Sequence, residues 1–127
     1  MGRALRPGVD KIDESWVKKE VKKILSGFEF LHWWMPPASQ FGVSGQHDFM
    51  VCQRGFLWTI ETKAAKASKP YPTELQIVFA TNIRAAGGIS VMVNENTLHK
   101  VTQIATHINR CGELPHGMAD DFTQWSK

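Results

Sequence analysis

The chain has 127 residues, of which 43% are hydrophobic and 21% charged, with 15 Lys and Arg set against 12 Asp and Glu. This is the size and balance of one globular domain that can bury a core without disulfides or structural metal, so overall disorder and a second domain are both excluded. The net charge of +3 leans towards an anionic partner without requiring one.

Residues 1–10 carry Gly2, Pro7 and Gly8 with Arg3 and Arg6 and read as a flexible basic arm. Asp13, Glu14 and further lysines follow instead of an apolar stretch, so no secretory signal is expected. From Lys11 to Ser26 the apolar positions Ile12, Trp16, Val17, Val21, Ile24 and Leu25 recur at helical spacing, and Gly27 ends the pattern. Strand-like segments come next: Phe28–Met35, closed by Pro36 and Pro37, then Phe49–Cys52, then Phe56–Lys63 after the turn residues Arg54 and Gly55. A polar loop, Ala38–His47, separates the first two. None of these runs approaches the roughly 20 apolar residues that a membrane-spanning helix needs.

A second loop, Ala64–Pro72, carries Lys66 and Lys69 and ends at Thr73, a competent helix N-cap. Leu75, Val78, Phe79, Ile83 and Ala86 give a second helix, closed by Gly87 and Gly88. Ile89–Val93 reads as a strand covered on both faces, reached through a helical crossover and parallel to a neighbour. Leu98, Val101, Ala105 and Ile108 mark a third helix ending near Gly112. The order is α-β-β-β-α-β-α, an α/β fold with a mixed central sheet of about four strands flanked by helices. One domain is expected over 11–112, with a polar C-terminal tail over 113–127 whose Phe122 and Trp125 have either the body or a partner to dock on. Of the two cysteines, Cys52 reads as a small buried hydrophobe, and the pair is too small for a disulfide framework, which points to a reducing, cytoplasmic setting. In the Trp33–Trp34 pair strand alternation puts the rings on opposite faces. Packing is the commoner role for such rings, and stacking on unpaired bases is the functional one.

The chemistry gathers at one end of the expected sheet. Glu61 and Lys63 are two apart on a strand and share a face, and a hairpin about Gln53-Arg54-Gly55 brings Asp48 beside them. Two carboxylates and an ammonium there form either a strand-end ion pair or hard oxygen ligands for Mg²⁺ with a cation beside a scissile phosphate. Glu20 lies between Trp16 and Ile24 on the first helix, so it is expected to point inward, where a carboxylate needs a partner or a metal, the alternative being a pair with a lysine of its own helix. Thr73 and Gln76 have the spacing of a capping box. Among the histidines only His47, beside Asp48, is a site candidate.

This ordered set, a helix with Glu20, then Gly45-Gln46-His47-Asp48, a hairpin, Ile60-Glu61-Thr62-Lys63 and Thr73-Glu74-Leu75-Gln76 opening a helix, resembles the PD-(D/E)XK nuclease superfamily. Within that superfamily it is most similar to the small stand-alone VRR-NUC type of phages and bacteria. The resemblance covers roughly Val17–Leu98 and implies a restriction-endonuclease-like core. The family has proline before the aspartate where this chain has His47, which leaves both carboxylates intact. By the resemblance, Asp48, Glu61 and the backbone carbonyl of Thr62 would ligate Mg²⁺ or Mn²⁺, and Lys63 would act on the attacking water and on the charge of the phosphorane. Gln76 would hold the water or Lys63, and Glu20 would support the site or a second metal.

Lys19, Lys23, Lys66 and Lys69, with Lys18, Lys22, Arg3 and Arg6, then form a candidate phosphate-tracking surface, the alternative being an ordinary solvated helix face. The expected activity is metal-dependent cleavage of DNA, selective for flaps, junctions or other branches, by a homodimer acting in phage replication or recombination. No organic cofactor and no membrane partner are expected, and the location would be the cytoplasm, that of the host if phage-encoded. A nuclease for RNA or single strands, and a catalytically silent DNA-binding or phage assembly protein on the same fold, are the competing readings.

Overall fold

A computed structural model describes residues 12–37 and 45–125; the basic arm expected over residues 1–10 and most of the loop expected over 38–47 fall outside the described residues. The first helix forms as α1 (Glu14–Ser26). Asp13 accepts a hydrogen bond from the Trp16 N–H at 2.9 Å, so the helix starts there and not at Lys11. Its buried stripe is Val17, Val21 and Leu25.

Four strands follow among the described residues, β1 (Leu31–Trp34), β2 (Phe49–Gln53), β3 (Phe56–Thr62) and, after a helix, β4 (Ile89–Val93). β1 is shorter than the sequence suggests because Phe30 has φ 61°, which turns the chain and interrupts the extended run. β2 and β3 pair antiparallel across Arg54 and Gly55, both at positive φ (50° and 87°), as a two-residue hairpin of right-handed twist demands. The sheet order is β1-β2-β3-β4, with β4 parallel to β3 and reached through α2 (Glu74–Ala85). The chain continues into α3 (His99–Cys111), closed by left-handed Gly112. No helix among the described residues is long and apolar enough to cross a membrane.

Strand alternation divides the sheet into two faces. Trp33, Phe49, Val51, Trp58, Ile60, Ile89, Val91 and Val93 face α1 and α3 and form the main core with Val17, Val21, Leu25, Val101, Ile104 and Ile108. Buried Gln53 is fully satisfied inside this core: its amide donates to the Ala105 carbonyl at 2.8 Å and accepts from the Trp58 indole at 3.2 Å. On the other face a smaller cluster joins Ala80, Met92 and Phe122 under α2. α2 packs on β4, and among the described residues no helix lies over the β1–β2 half of that face. For this reason Cys52, expected to be a buried hydrophobe, is exposed.

The segment after α3, expected as a polar tail, packs on the body. Leu114, Pro115 and Phe122 are buried, and the Asp120 N–H donates to the Ser90 carbonyl while its carboxylate accepts from the Met92 N–H at 2.7 Å. The outer edge of β4 is thereby paired and protected from edge association. Lys100 on α3 holds Asp120 at 2.8 Å. The sequence signal available was Phe122 itself, a large apolar residue in a polar stretch. Phe122→Ala should cost about 3 kcal/mol of stability in urea denaturation, the usual loss for a buried ring, with the circular dichroism of the folded state unchanged.

Candidate active site

Asp48, Glu61 and Lys63 meet at one end of the sheet because the β2–β3 register pairs Phe49 with Ile60, which sets the residue before β2 next to the end of β3. The Asp48 N–H donates to Glu61 Oε1 at 3.2 Å. In return, Asp48 Oδ2 accepts from the Thr62 N–H at 3.0 Å and from the Thr62 hydroxyl. Lys63 Nζ lies 3.3 Å from Glu61 Oε2. Glu61 is only 1% exposed. Burial, and then the Asp48 carboxylate beside it, push its pKa up to about 8 against the opposing pull of Lys63.

Gln76 joins the cluster from α2. Its Nε2 donates to Glu61 Oε2 at 2.9 Å while its Oε1 accepts from the Thr73 N–H at 2.9 Å. The capping box and the contact with Glu61 therefore coexist, because the two ends of one amide serve them separately. The start of α2 is fixed in turn by His47, which is 1% exposed. His47 Nε2 donates to the Gln76 carbonyl at 3.0 Å, so Nδ1 accepts from the Thr59 hydroxyl at 2.9 Å, and Thr59 in turn accepts from Ser90 at 2.6 Å. The ring stacks on Phe122 with centroids 4.8 Å apart and meets the edge of Phe79 at the same distance. Burial lowers its pKa to about 4, which keeps the imidazole neutral. Gly45 lets the incoming loop approach: at φ +80° a Cβ there would stand 2.4 Å from the Leu75 carbonyl.

Glu20 is not brought to this cluster. Its carboxylate pairs with Lys23 of its own helix at 3.0 Å. The buried stripe of α1 is centred on Val17, Val21 and Leu25, and at about 100° per residue Glu20 lies roughly 100° from that centre. A face centred on Trp16 and Ile24, as the apolar spacing suggests, places Glu20 inside it; the packed face is centred one residue on. The acidic residue of α1 that does lie towards the site is Glu14, which sequence reasoning missed although its (i, i+3), (i, i+4) relation to Val17 and Lys18 was readable. Lys18 Nζ stands 3.5 Å from Glu14 and 3.7 Å from Asp48 Oδ1. Burial pulls the Lys18 pKa down, but Asp48 and Glu14 outweigh it and hold the ammonium above its ordinary value.

Of the other lysines singled out, Lys69 lines an open cleft of about 350 Å³ together with Lys63, Tyr71, Thr73 and Glu74. Lys66 is exposed on the same loop, which is pinned by the Ala65 N–H donating to Glu95 at 2.9 Å. Lys19 and Lys23 are exposed on α1, with Lys23 engaged by Glu20.

The chain matches no family model and no curated protein. A solved structure described as a VRR_NUC domain matches it with a TM-score of 0.56 and 23% identity, over 74% of this chain and 95% of that one. The fold is that of a VRR_NUC domain. On this VRR_NUC fold the donor set at the sheet end is oxygen only, the type that suits hard divalent cations such as Mg²⁺ and Mn²⁺. Among the described residues no group of three or more His, Cys, Asp or Glu side chains could hold a metal ion. A cation would therefore rely on Asp48, Glu61 and a backbone carbonyl, for which Thr62 is adjacent in sequence. A buried carboxyl that keeps its proton up to about pH 8 beside a second carboxylate fits that role, since an added cation favours its charged form.

Without divalent metal the folded state retains the Glu61 proton up to about pH 8, whereas an ordinary carboxyl loses it near 4.5, so stability falls as pH rises through that window. Neutral His47 has the opposite effect, restricted to the interval between about 4 and 6.5. Thermal melts of the metal-free protein should accordingly show a lower Tm at pH 8 than at pH 6.5, and Glu61→Gln should abolish that difference.

Proposed function

We propose that the chain is a Mg²⁺- or Mn²⁺-dependent endonuclease that hydrolyses phosphodiester bonds of DNA. The observation that carries this reading is the cluster of Asp48, Glu61, Lys63 and Gln76 at the sheet end of a VRR_NUC fold. Asp48, Glu61 and the Thr62 carbonyl would hold the cation, which supplies a Lewis acid and an activated water at neutral pH. Lys63, held against Glu61, offsets the negative charge that develops on the phosphate during attack. Gln76 orients Glu61 and keeps the carboxylate plane fixed between the strand and α2. Lys69, sharing the cleft with Lys63, offers a second cation for a neighbouring phosphate.

A domain of this size has little surface with which to read a long sequence, so selection by DNA structure, such as a flap or junction, is the substrate preference proposed. Two cuts on opposite strands need two sites, which favours a homodimer, and Leu75 and Val78, each 54% exposed on α2, give aliphatic surface for it. Phage replication or recombination is a setting that would use such an activity. A catalytically silent DNA-binding protein would have no need to bury Glu61 beside Asp48.

Incubation of labelled duplex, flap, four-way-junction and single-stranded DNA with Mg²⁺, Mn²⁺ or EDTA tests the proposal. Lys63→Ala should keep its fold, its DNA affinity and its calorimetric Mn²⁺ binding yet lose cleavage by about a hundredfold or more, because the ammonium acts mainly on charge absent from the ground state. Asp48→Ala and Glu61→Ala should lose cleavage together with Mn²⁺ affinity. Normal cleavage by the Lys63 variant, or Mn²⁺ binding indifferent to both carboxylates, would return the cluster to a strand-end ion pair. Glu14→Gln should slow cleavage through the position of Lys18 against Asp48, while Glu20→Gln should leave the rate unchanged within about twofold and alter only the surface pair with Lys23. A comparison of the two rates under saturating metal checks this, and equal losses would refute the assignment of Glu14.

A further inference from the structure

Among the described residues, the face of the sheet that carries Glu61 has a helix over only half of it, although Met50 on β2 is buried there. α2 and Phe122 lie over β4 and β3, and along β1 and β2 the same face presents Trp34, 41% exposed, His32 and Cys52 to solvent. Trp33, one residue earlier, is turned to the core, its ring 5.7 Å from Phe49. The core therefore takes one indole of the pair and leaves the other at the surface. Trp34 pairs across the strands with Met50, and Asp48 precedes Met50 by two residues. At about 3.4 Å of rise per strand residue, the Trp34 position is roughly 7 Å along the sheet from that of the candidate ligand.

The indole does not stand alone. The His32 and Trp34 rings are neighbours on this face, their centroids 6.0 Å apart and their planes inclined by 32°. Two residues before His32, Phe30 is 65% exposed with the Arg54 guanidinium 5.2 Å from its ring centroid. Exposed aromatics scattered singly need no explanation. Here His32 and Trp34 share one face of β1 leading away from the carboxylates, and Phe30 with Arg54 against its ring follows just before the strand. None of Phe30, His32, Trp34, Met50 and Cys52 carries a negative charge. Aromatic surface with a cation beside it is the combination that holds a single strand, whose bases have free π faces and whose phosphates are anionic; a base inside a duplex has its faces covered by its neighbours.

We infer that His32 and Trp34 form a stacking platform for an unpaired nucleotide next to the bond to be cut, so that the substrate carries a single-stranded segment running from the carboxylates along β1. This inference rests on the nuclease reading for what lies at the carboxylate end of the row, but not for the binding itself. Selectivity for flaps or frayed branches then follows from the open half of the sheet: a fully paired strand offers it no base to stack.

The test uses the full chain in EDTA with an oligothymidylate and with a blunt duplex of equal length, followed by anisotropy and by quenching of tryptophan fluorescence. Trp34→Ala should weaken oligothymidylate binding about tenfold, the usual loss for one stacked base, and leave duplex affinity, Tm and calorimetric Mn²⁺ binding unaltered. Trp34→Phe should restore most of the single-strand affinity, which a loss of shape alone would not allow. Unchanged single-strand binding by Trp34→Ala overturns the inference. So does a Trp34→Ala chain whose sole change is dissociation of a dimer in sedimentation, since the face would then belong to a second copy. Wild-type protein that binds the oligonucleotide through Trp34 yet cuts no DNA with Mn²⁺ supports the platform and refutes the nuclease reading. Duplex and flap cleavage with no dependence on Trp34 does the reverse.

Discussion

The arrangement turns on one buried carboxyl group. Glu61 sits inside the protein within hydrogen-bonding reach of the Asp48 backbone, Gln76 and Lys63. A carboxylate taken out of water is strongly disfavoured unless hydrogen bonds and opposite charge compensate it. Each compensating group comes from a different stretch of chain: the loop entering β2, the start of α2 and the residue leaving β3. Meeting the demands of Glu61 thus brings those three stretches together, and even so burial, and then the neighbouring Asp48 carboxylate, favour its protonated form. The sheet end thus keeps a polar arrangement whose burial is costly in stability.

A second layer holds the first in place. His47 occupies the position before Asp48 and spends both ring nitrogens on structure, one on the Gln76 carbonyl and the other on Thr59. The Gln76 carbonyl can only accept, which places the imidazole proton on Nε2, and the hydroxyl chain from Ser90 through Thr59 to Nδ1 takes its sense from that. The orientation of the Gln76 amide against Glu61 consequently depends on β4, on the imidazole and on the Phe122 ring beneath it.

Much of this was legible in the sequence, for identifiable reasons. Arg54 and Gly55 between two apolar runs specify a tight hairpin, and that hairpin alone aligns Asp48 with Glu61 and Lys63. Thr73 and Gln76 specify the start of α2, and the length between β3 and β4 specifies a helical crossover. What was not legible depended on where a helix is rotated and on what covers a face. Glu20 and Glu14 are both acidic residues near apolar positions, and only the packing of Val17, Val21 and Leu25 decides which of them turns towards the sheet. Cys52 looks buried in an apolar run, yet α2 stops short of β2. The docking of residues 113–125 has no periodic pattern to announce it, because those residues bury one ring and pair one strand edge instead of forming a long element. That Gln76 serves the cap and Glu61 at once follows from amide geometry, which a spacing rule does not contain.

The dependence of the Gln76 bond on His47 and Phe122 has a kinetic meaning. The contacts between β2 and β3 close over a two-residue turn and are the cheapest in loop entropy, whereas the parallel pairing of β3 with β4 and the His47–Phe122 stack join residues far apart in the chain. Asp48 and Glu61 can therefore be neighbours early, in a hairpin that is not yet a domain. The amide that steadies Glu61 falls into position only once the distant segment has docked. By contact order, a chain with only the hairpin formed would hold the two acids side by side without the amide that fixes the Glu61 carboxyl.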